Sequence, residues 1–185
     1  MALAAVPART LVTVRGDRVP IPAPDRLVHL QFRRFAGCPV CNLHLRSIVQ
    51  RRAEIEAAGV REVVLFHSSA EALRPYVADL PLDVVADPER TLYREFGVEY
   101  GLRSLLDPRG WPTIVRAIAH ELRAIRQGRP APPVRPEGGR FGLPADYLVA
   151  PDGRVLASKH GVHVDDQWSV DELLALVPAA PRDRA

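Results

Sequence analysis

Leu27-Val28-His29-Leu30-Gln31-Phe32-Arg33-Arg34-Phe35-Ala36-Gly37-Cys38-Pro39-Val40-Cys41 is the stretch on which the reading of this chain turns. Leu27 to Phe32 is β-rich and mostly apolar, as a buried central strand would be. Arg33 to Gly37 then lead into a Cys-x-x-Cys. Beyond it Leu45, Ile48, Val49 and Ile55 recur at helical spacing up to Gly59, where a C-terminal cap belongs. Pro39 fits the first helical turn, where its missing N–H costs nothing. Cys38 then stands at the cap position, and Cys41 lies one turn on along the same face.

A thiol attacks only as thiolate, and an ordinary cysteine with a pKa of about 8.5 is mostly protonated at neutral pH. A sulfur at a helix N-terminus meets unpaired N–H groups and the positive end of the dipole, and both favour the anion. The spacing lets Cys38 and Cys41 close a disulfide, so the pair is suited to a reversible two-electron couple. Cys38 is expected to be the more accessible and more acidic sulfur, with Cys41 pressed toward the sheet. Two other readings stay open. Zinc usually takes four ligands, and only His44 continues this face; alternatively, both cysteines are inert core residues. Arg33 and Arg34 either add positive potential or lie solvated at the surface, and the solvated reading is the expectation. His29, on an apolar strand, is expected to be a satisfied core histidine. His160 and His163 follow the last strand, with no chemistry assigned to them.

Outward from the motif, Thr10 to Val14, Arg15-Gly16-Asp17 and Arg18 to Ile21 read as a β-hairpin ended by Pro22 and Pro24. Glu62 to His67 is a short β-branched strand. Ser68-Ser69-Ala70-Glu71 offers a capping box for a helix that Pro75 must kink or restart. Asp83 to Ala86 is a strand, and Asp87-Pro88 reads as an N-cap with proline at N1 for a helix ending at Gly97. Asp146 to Ala150 and Arg154 to His160 flank Pro151-Asp152-Gly153, a strong hairpin signal. A final helix spans about Ser169 to Val177.

The order predicts an α/β protein, a mixed central sheet flanked by helices. One domain covers residues 8–178, with a flexible tail over 179–185. An insertion, 101–142, holds a helix at about 111–127 and a Pro/Gly-rich loop, 128–142, whose stretch from Arg129 to Gly139 reads as disordered. On the helix, Trp111, Ile114, Val115, Ile118, Ala119, Leu122 and Ile125 form an apolar stripe, expected to pack against the domain or a second copy.

Composition narrows the function. The chain has 185 residues, 47% hydrophobic and 25% charged, with net charge +3. Basic and acidic residues interleave without a basic block, which argues against nucleic-acid binding. No apolar run approaches the roughly 20 residues that span a bilayer. Pro7 and Arg9 interrupt the apolar start Met1 to Val6, so no signal peptide is read and a cytoplasmic location is expected. Cys38 and Cys41 are the only cysteines, too few for a disulfide scaffold. No bound cofactor or metal is expected; the redox element is a Cys38–Cys41 disulfide.

The strand–Cys-Pro-Val-Cys–helix unit, the segment Asp87 to Val98 and the segment Gly142 to Val155 together resemble the peroxiredoxin-like branch of the thioredoxin superfamily. These are proteins of the alkyl hydroperoxide reductase/thiol-specific antioxidant type that carry CxxC. The resemblance spans roughly residues 8 to 178. It implies a thioredoxin-like fold with an N-terminal β-extension and catalytic Cys38 and Cys41. Pro144 matches the cis-proline that lies against the dithiol, with Pro39 and Arg34 as further supports. Electrons would come from a thioredoxin or a comparable small thiol, and the oxidant would be a peroxide or a protein disulfide. A homodimer is one arrangement open to the chain. Peroxiredoxins place Pro seven and Thr three residues before the peroxidatic cysteine. If Cys41 takes that place, the Thr position is Cys38 and the Pro position Arg34; if Cys38 takes it, those positions are Phe35 and Gln31. Neither alignment restores the threonine, whereas dithiol exchange needs only the CxxC. In the exchange version Cys38 is the nucleophile and Cys41 resolves; in the peroxidase version Cys41 becomes the sulfenic acid and Cys38 resolves. A different class of function is a redox sensor or binding module whose disulfide gates a partner surface.

Overall fold

The computed structural model describes residues 3–98, 101 and 107–178; the tail expected over 179–185 lies outside them. Strands β1 (Arg9–Val12) and β2 (Arg18–Ile21) form the expected antiparallel hairpin as a sheet of their own. The main sheet comprises β3 (Leu27–Arg33), β4 (Val60–Phe66), β5 (Asp83–Ala86), β6 (Ala145–Val149) and β7 (Val155–His160). Its order is β5-β4-β3-β6-β7, parallel from β3 to β5 and antiparallel from β3 to β7. The helices are α1 (Pro39–Gln50), α2 (Arg52–Ala57), α3 (Ala70–Val77), α4 (Thr91–Glu95), α5 (Trp111–Arg126) and α6 (Val170–Leu176). No helix among the described residues is long and apolar enough to cross a membrane.

Several local expectations shift for identifiable reasons. The single helix foreseen up to Gly59 is α1 and α2, parted at Arg51, whose φ of −109° and ψ of 18° leave the helical region. Pro75 sits inside α3 without ending it. Asp87 caps from a distance. Although α4 begins at Thr91, the Asp87 carboxylate accepts the amide N–H groups of Thr91, Leu92 and Tyr93 at 3.0, 2.8 and 3.3 Å. Ser69 caps α3 through the Ala72 amide, but Glu71 does not complete the box. The Ser69 amide donates instead to Glu137, 2.8 Å away in the insertion.

Glu137 belongs to a loop whose composition suggested disorder, yet side chains from the domain tie it down. The Tyr76 hydroxyl donates to the Ala131 carbonyl at 2.8 Å, and Arg90 donates to the Gly138 carbonyl. Gly138 has φ +74°, and a Cβ there would stand 2.5 Å from the His67 carbonyl oxygen, so only glycine allows this approach. On α5 the face turned inward is not the long apolar stripe. Ala117, Glu121 and Ala124 are buried, while Trp111, Val115, Ile118 and Leu122 are exposed. Helix α5 lies against α1, and Ala117 joins the core that Val40, Leu45 and Ile48 of α1 also line.

The sheet separates two cores. Val28, Leu30 and Phe32 of β3 point to one, with Val63, Leu65, Tyr93, Phe96 and Tyr147. The alternate residues, His29, Gln31 and Arg33, face α1, where registry brings Glu62 beside His29 and Asp146 beside Gln31. His29 Nδ1 lies 2.8 Å from Glu62 Oε2, and its Nε2 lies 3.2 Å from Asp146 Oδ1. Arg33 Nη2 donates to Asp146 Oδ1 at 2.7 Å and to Gln31 Oε1 at 2.6 Å. Asp146 Oδ2 in turn accepts the Trp168 amide at 3.1 Å. All of these side chains are buried. His29 is therefore the satisfied core histidine its strand suggested.

Burial alone would push the His29 pKa down, but Glu62 and Asp146 outweigh it and lift it to about 9. A histidine raised above its unfolded value of about 6.5 contributes stability in full below that pH and loses it as pH climbs through about 9. In urea titrations at several pH values, the stability gap between the wild type and His29→Gln is expected to narrow from pH 6.5 toward 9. A gap independent of pH would refute the charged histidine.

Candidate active site

Gly37 turns the chain from β3 into α1 with φ +75°, and a Cβ there would meet the Tyr76 ring at 2.8 Å. Cys38 follows as the N-cap of α1, with Pro39 at the first position, as its sequence position foretold. The cap is made by sulfur, since Cys38 Sγ accepts the Cys41 amide N–H at 3.3 Å. Arg34 Nη2 donates to the same atom at 3.0 Å, and the two sulfurs lie 2.8 Å apart, joined by one shared hydrogen bond. Both cysteines are free thiols.

The exposure expected for Cys38 is not observed. Cys38 is 0% exposed and Cys41 3%. The cap position opens onto Phe35, Arg34 and the insertion loop rather than onto solvent. Arg33 and Arg34, expected at the surface, are buried as well. Arg34 is held by the site it serves. Its Nη1 donates to the Arg140 carbonyl at 3.4 Å, its guanidinium lies 5.6 Å from the centre of the Phe35 ring, and its own carbonyl accepts the His67 amide at 3.1 Å.

The two sulfurs titrate as one unit sharing a proton. Burial raises the pKa of both. Against it, the hydrogen bond with Cys38 and the Arg34 charge bring Cys41 down to about 6. Burial and the same hydrogen bond push Cys38 well above its usual value, despite Arg34. The first proton thus leaves the pair below the ordinary thiol range and the second well above it. The acidity expected of Cys38 is transferred to Cys41, because Cys38 serves as the partner that stabilises its neighbour.

Around this pair stand residues that the sequence did not single out. His67 is buried at the end of β4, and a Cβ on Gly142 would stand 3.3 Å from its Nε2 and 3.4 Å from Arg34 Cγ. Burial, with the charges of Arg90 and Arg34, lowers the His67 pKa to about 4, so its ring is neutral at physiological pH. Tyr93 places its hydroxyl between the Arg33 and Leu65 carbonyls. His44, the remaining zinc candidate, is taken up by Arg33, whose Nη2 donates to His44 Nε2 at 3.2 Å. Among the described residues no group of His, Cys, Asp and Glu is arranged to hold a metal ion.

Pro144 corrects another expectation. Ile21–Pro22 is the only cis peptide among the described residues, so the Leu143–Pro144 bond is trans. Trans is the ordinary state of an X–Pro bond. Here the extended chain lets the Pro144 carbonyl accept the Gly161 amide at 2.9 Å, continuing the β6–β7 ladder, while its ring packs on Gly161. The residue brought against Arg34 is Gly142, two positions earlier.

No curated protein matches this sequence as a relative. Among solved structures the chain resembles peroxidoxin BcpB from Mycobacterium tuberculosis, at 16% identity and a TM-score of 0.63, over 94% of this chain and 93% of that one. Peroxiredoxin Q from Xanthomonas campestris gives 16% and 0.62, over 91% and 89%. A putative thiol:disulfide interchange protein DsbE from Chlorobium tepidum gives 17% and 0.56, over 96% and 99%. These likenesses are of fold, and the fold is thioredoxin-like. The family model described as AhpC/TSA antioxidant enzyme matches residues 47–161, from within α1 through β7 and so beyond the cysteines themselves. Covering more than half of the sequence, that match places this chain in the AhpC/TSA antioxidant enzyme family.

Proposed function

We propose that the protein is a thiol-dependent reductase of small peroxides, cycling Cys38 and Cys41 between dithiol and disulfide. The observation that carries this reading is the buried Arg34 guanidinium set on a pair of free thiols at a helix N-terminus. It supplies a thiolate at neutral pH in a place that a protein disulfide cannot reach without the site opening. Burial therefore favours a small oxidant.

Cys41 is the attacking sulfur in this scheme. Its thiolate takes the terminal oxygen of the peroxide, the O–O bond breaks, and the released alkoxide or hydroxide takes a proton from water. The resulting Cys41 sulfenic acid condenses with the Cys38 thiol, expelling water and forming the disulfide. A thiol donor returns two electrons and two protons, either a small thiol or a thioredoxin that reaches the disulfide as the site opens. Cys38 stands where a peroxiredoxin carries threonine, so one residue both hydrogen-bonds the reacting sulfur and resolves it. A cytoplasmic setting, where thiols are kept reduced, suits this cycle.

Consumption of NADPH through thioredoxin and its reductase, with peroxide as oxidant, is the direct test. Turnover with a protein disulfide but not with peroxide would overturn the proposal, and oxidation once without turnover would favour a sensor. Intact mass after peroxide treatment separates the sulfurs. Cys38→Ser is expected to retain a Cys41 that gains oxygen and over-oxidises, whereas Cys41→Ser stays largely unmodified; the reverse pattern would return Cys38 to the role of nucleophile. Replacing Arg34 by Met removes the cation that favours the thiolate. The first ionisation of the pair, followed by its ultraviolet thiolate absorbance, is expected to rise from about 6 by about 1–3 units. The rate with peroxide at pH 7 should fall accordingly and recover as pH rises. An unmoved ionisation would remove Arg34 from the mechanism.

A further inference from the structure

Beside the dithiol, under α5 and the proline-rich loop, lies a cavity of about 290 Å³. Phe35, Pro39, Leu122, Ile125 and Pro132 give it apolar walls. Phe35 and Pro39 bracket Cys38 in the chain, and Phe35 carries Arg34 on its ring, so the cavity shares a wall with the thiol site. One side is open, since the rim residues Ile118 and Leu122 are 48% and 50% exposed. Among these apolar surfaces stands one carboxylate. Glu121 is only 3% exposed, and neither of its side-chain oxygens has a hydrogen-bond partner. Its charge helps burial hold the Tyr76 phenol above its usual pKa, but the Tyr76 hydroxyl is spent on the Ala131 carbonyl.

A buried carboxylate with no partner is costly, and such groups in folded proteins usually mark a place where a donor belongs. Arg140, also on the cavity wall, forms no salt bridge with Glu121; its guanidinium donates to the Val134 and Pro133 carbonyls. What fits is a ligand with a short apolar body and several donors on a positive end. We propose that the cavity binds a small molecule carrying a protonated amine, with Glu121 as the counter-charge. Resting on the redox reading above, we further assign this ligand as a low-molecular-weight aminothiol that reduces the Cys38–Cys41 disulfide. Its thiolate attacks one sulfur of that disulfide and breaks the S–S bond, giving a mixed disulfide and a protein thiol. A second aminothiol attacks the mixed disulfide, completing the dithiol and leaving as the oxidised aminothiol disulfide. Two electrons and two protons pass from the ligand to the protein.

Two measurements test the proposal separately. The first needs no redox chemistry and compares hexylammonium, hexanol and hexanoate as ligands of the full chain by thermal shift. Hexylammonium is expected to stabilise the wild type selectively, and Glu121→Gln and Glu121→Leu to abolish that stabilisation. Equal shifts with hexanoate, or a shift that survives in both variants, would overturn the site, as would no shift at all. With net charge +3 and arginines around the cysteines, unspecific electrostatics would favour hexanoate. The second measures reduction of the disulfide form by cysteamine and by 2-mercaptoethanol. Taking the ratio of rates in the wild type over that in Glu121→Gln cancels the intrinsic reactivity of the thiols. That double ratio is expected to be about tenfold, from the loss of a hydrogen bond to a charged group; a double ratio of one would overturn the aminothiol assignment. Reduction by neither thiol, with the hexylammonium shift intact, would count against the redox reading while upholding the ammonium site.

Discussion

Two consecutive arginines enter the interior of this protein at the end of its central strand, and each must find an anion there. A guanidinium cannot shed its charge as a buried lysine or histidine can, so the surroundings have to supply the balance. Arg33 receives it from Asp146 on the neighbouring strand, and Arg34 from the sulfur pair at the start of α1. Strand β3 alternates residues between two faces, yet this pair falls at its exit, where one side chain stays under the helix and the next turns to the helix tip. One strand end thus provides a structural cation and a chemical one.

The remaining buried groups complete the pattern. On the α1 side of the sheet His29 joins Arg33, facing Glu62 and Asp146. With Arg34 set against a single thiolate, three cations meet three anions. Buried ion pairs give little net stability because desolvation offsets their attraction, but removing one member is expensive. The array therefore acts chiefly to fix arrangement. Asp146 accepts from β3 and from the Trp168 amide ahead of α6, tying the C-terminal unit to the centre of the sheet. The insertion joins from the other side, where the Arg140 carbonyl accepts from Arg34 and Glu137 accepts from the start of α3.

Much of this was legible in the sequence wherever a local rule operates. The Leu27 to Phe32 run, proline after the first cysteine and the Pro151-Asp152-Gly153 turn each depend on neighbours in the chain, and each leads to the element observed. What escaped notice depends on distant partners. Nothing near Arg33 reveals that Asp146, more than a hundred residues on, will neutralise it, so the arginines looked like surface residues. Composition marked the loop of 128–142 as loose because its anchors, Tyr76, Arg90 and Ser69, lie in other elements. On α5 the apolar stripe was visible, but the side turned inward carries Ala117, Glu121 and Ala124, a choice that depends on the neighbouring α1 and not on the helix's own pattern. A helix tip is usually exposed, which is the rule behind the exposure expected of Cys38, and here Phe35, Arg34 and the insertion close over the tip.

Arg34 also bears on which form of the dithiol is preferred. Its charge stabilises an anion that exists only while the cysteines are reduced; a Cys38–Cys41 disulfide carries no charge and leaves the guanidinium buried without its counterpart. Whatever stabilises the thiolate form relative to the disulfide shifts the couple toward a higher reduction potential, as in oxidoreductases whose reduced form is the favoured one. In the cycle proposed above, the contact that favours the thiolate also makes its disulfide easy to reduce, so a weakly reducing donor would suffice to return the pair to its starting state.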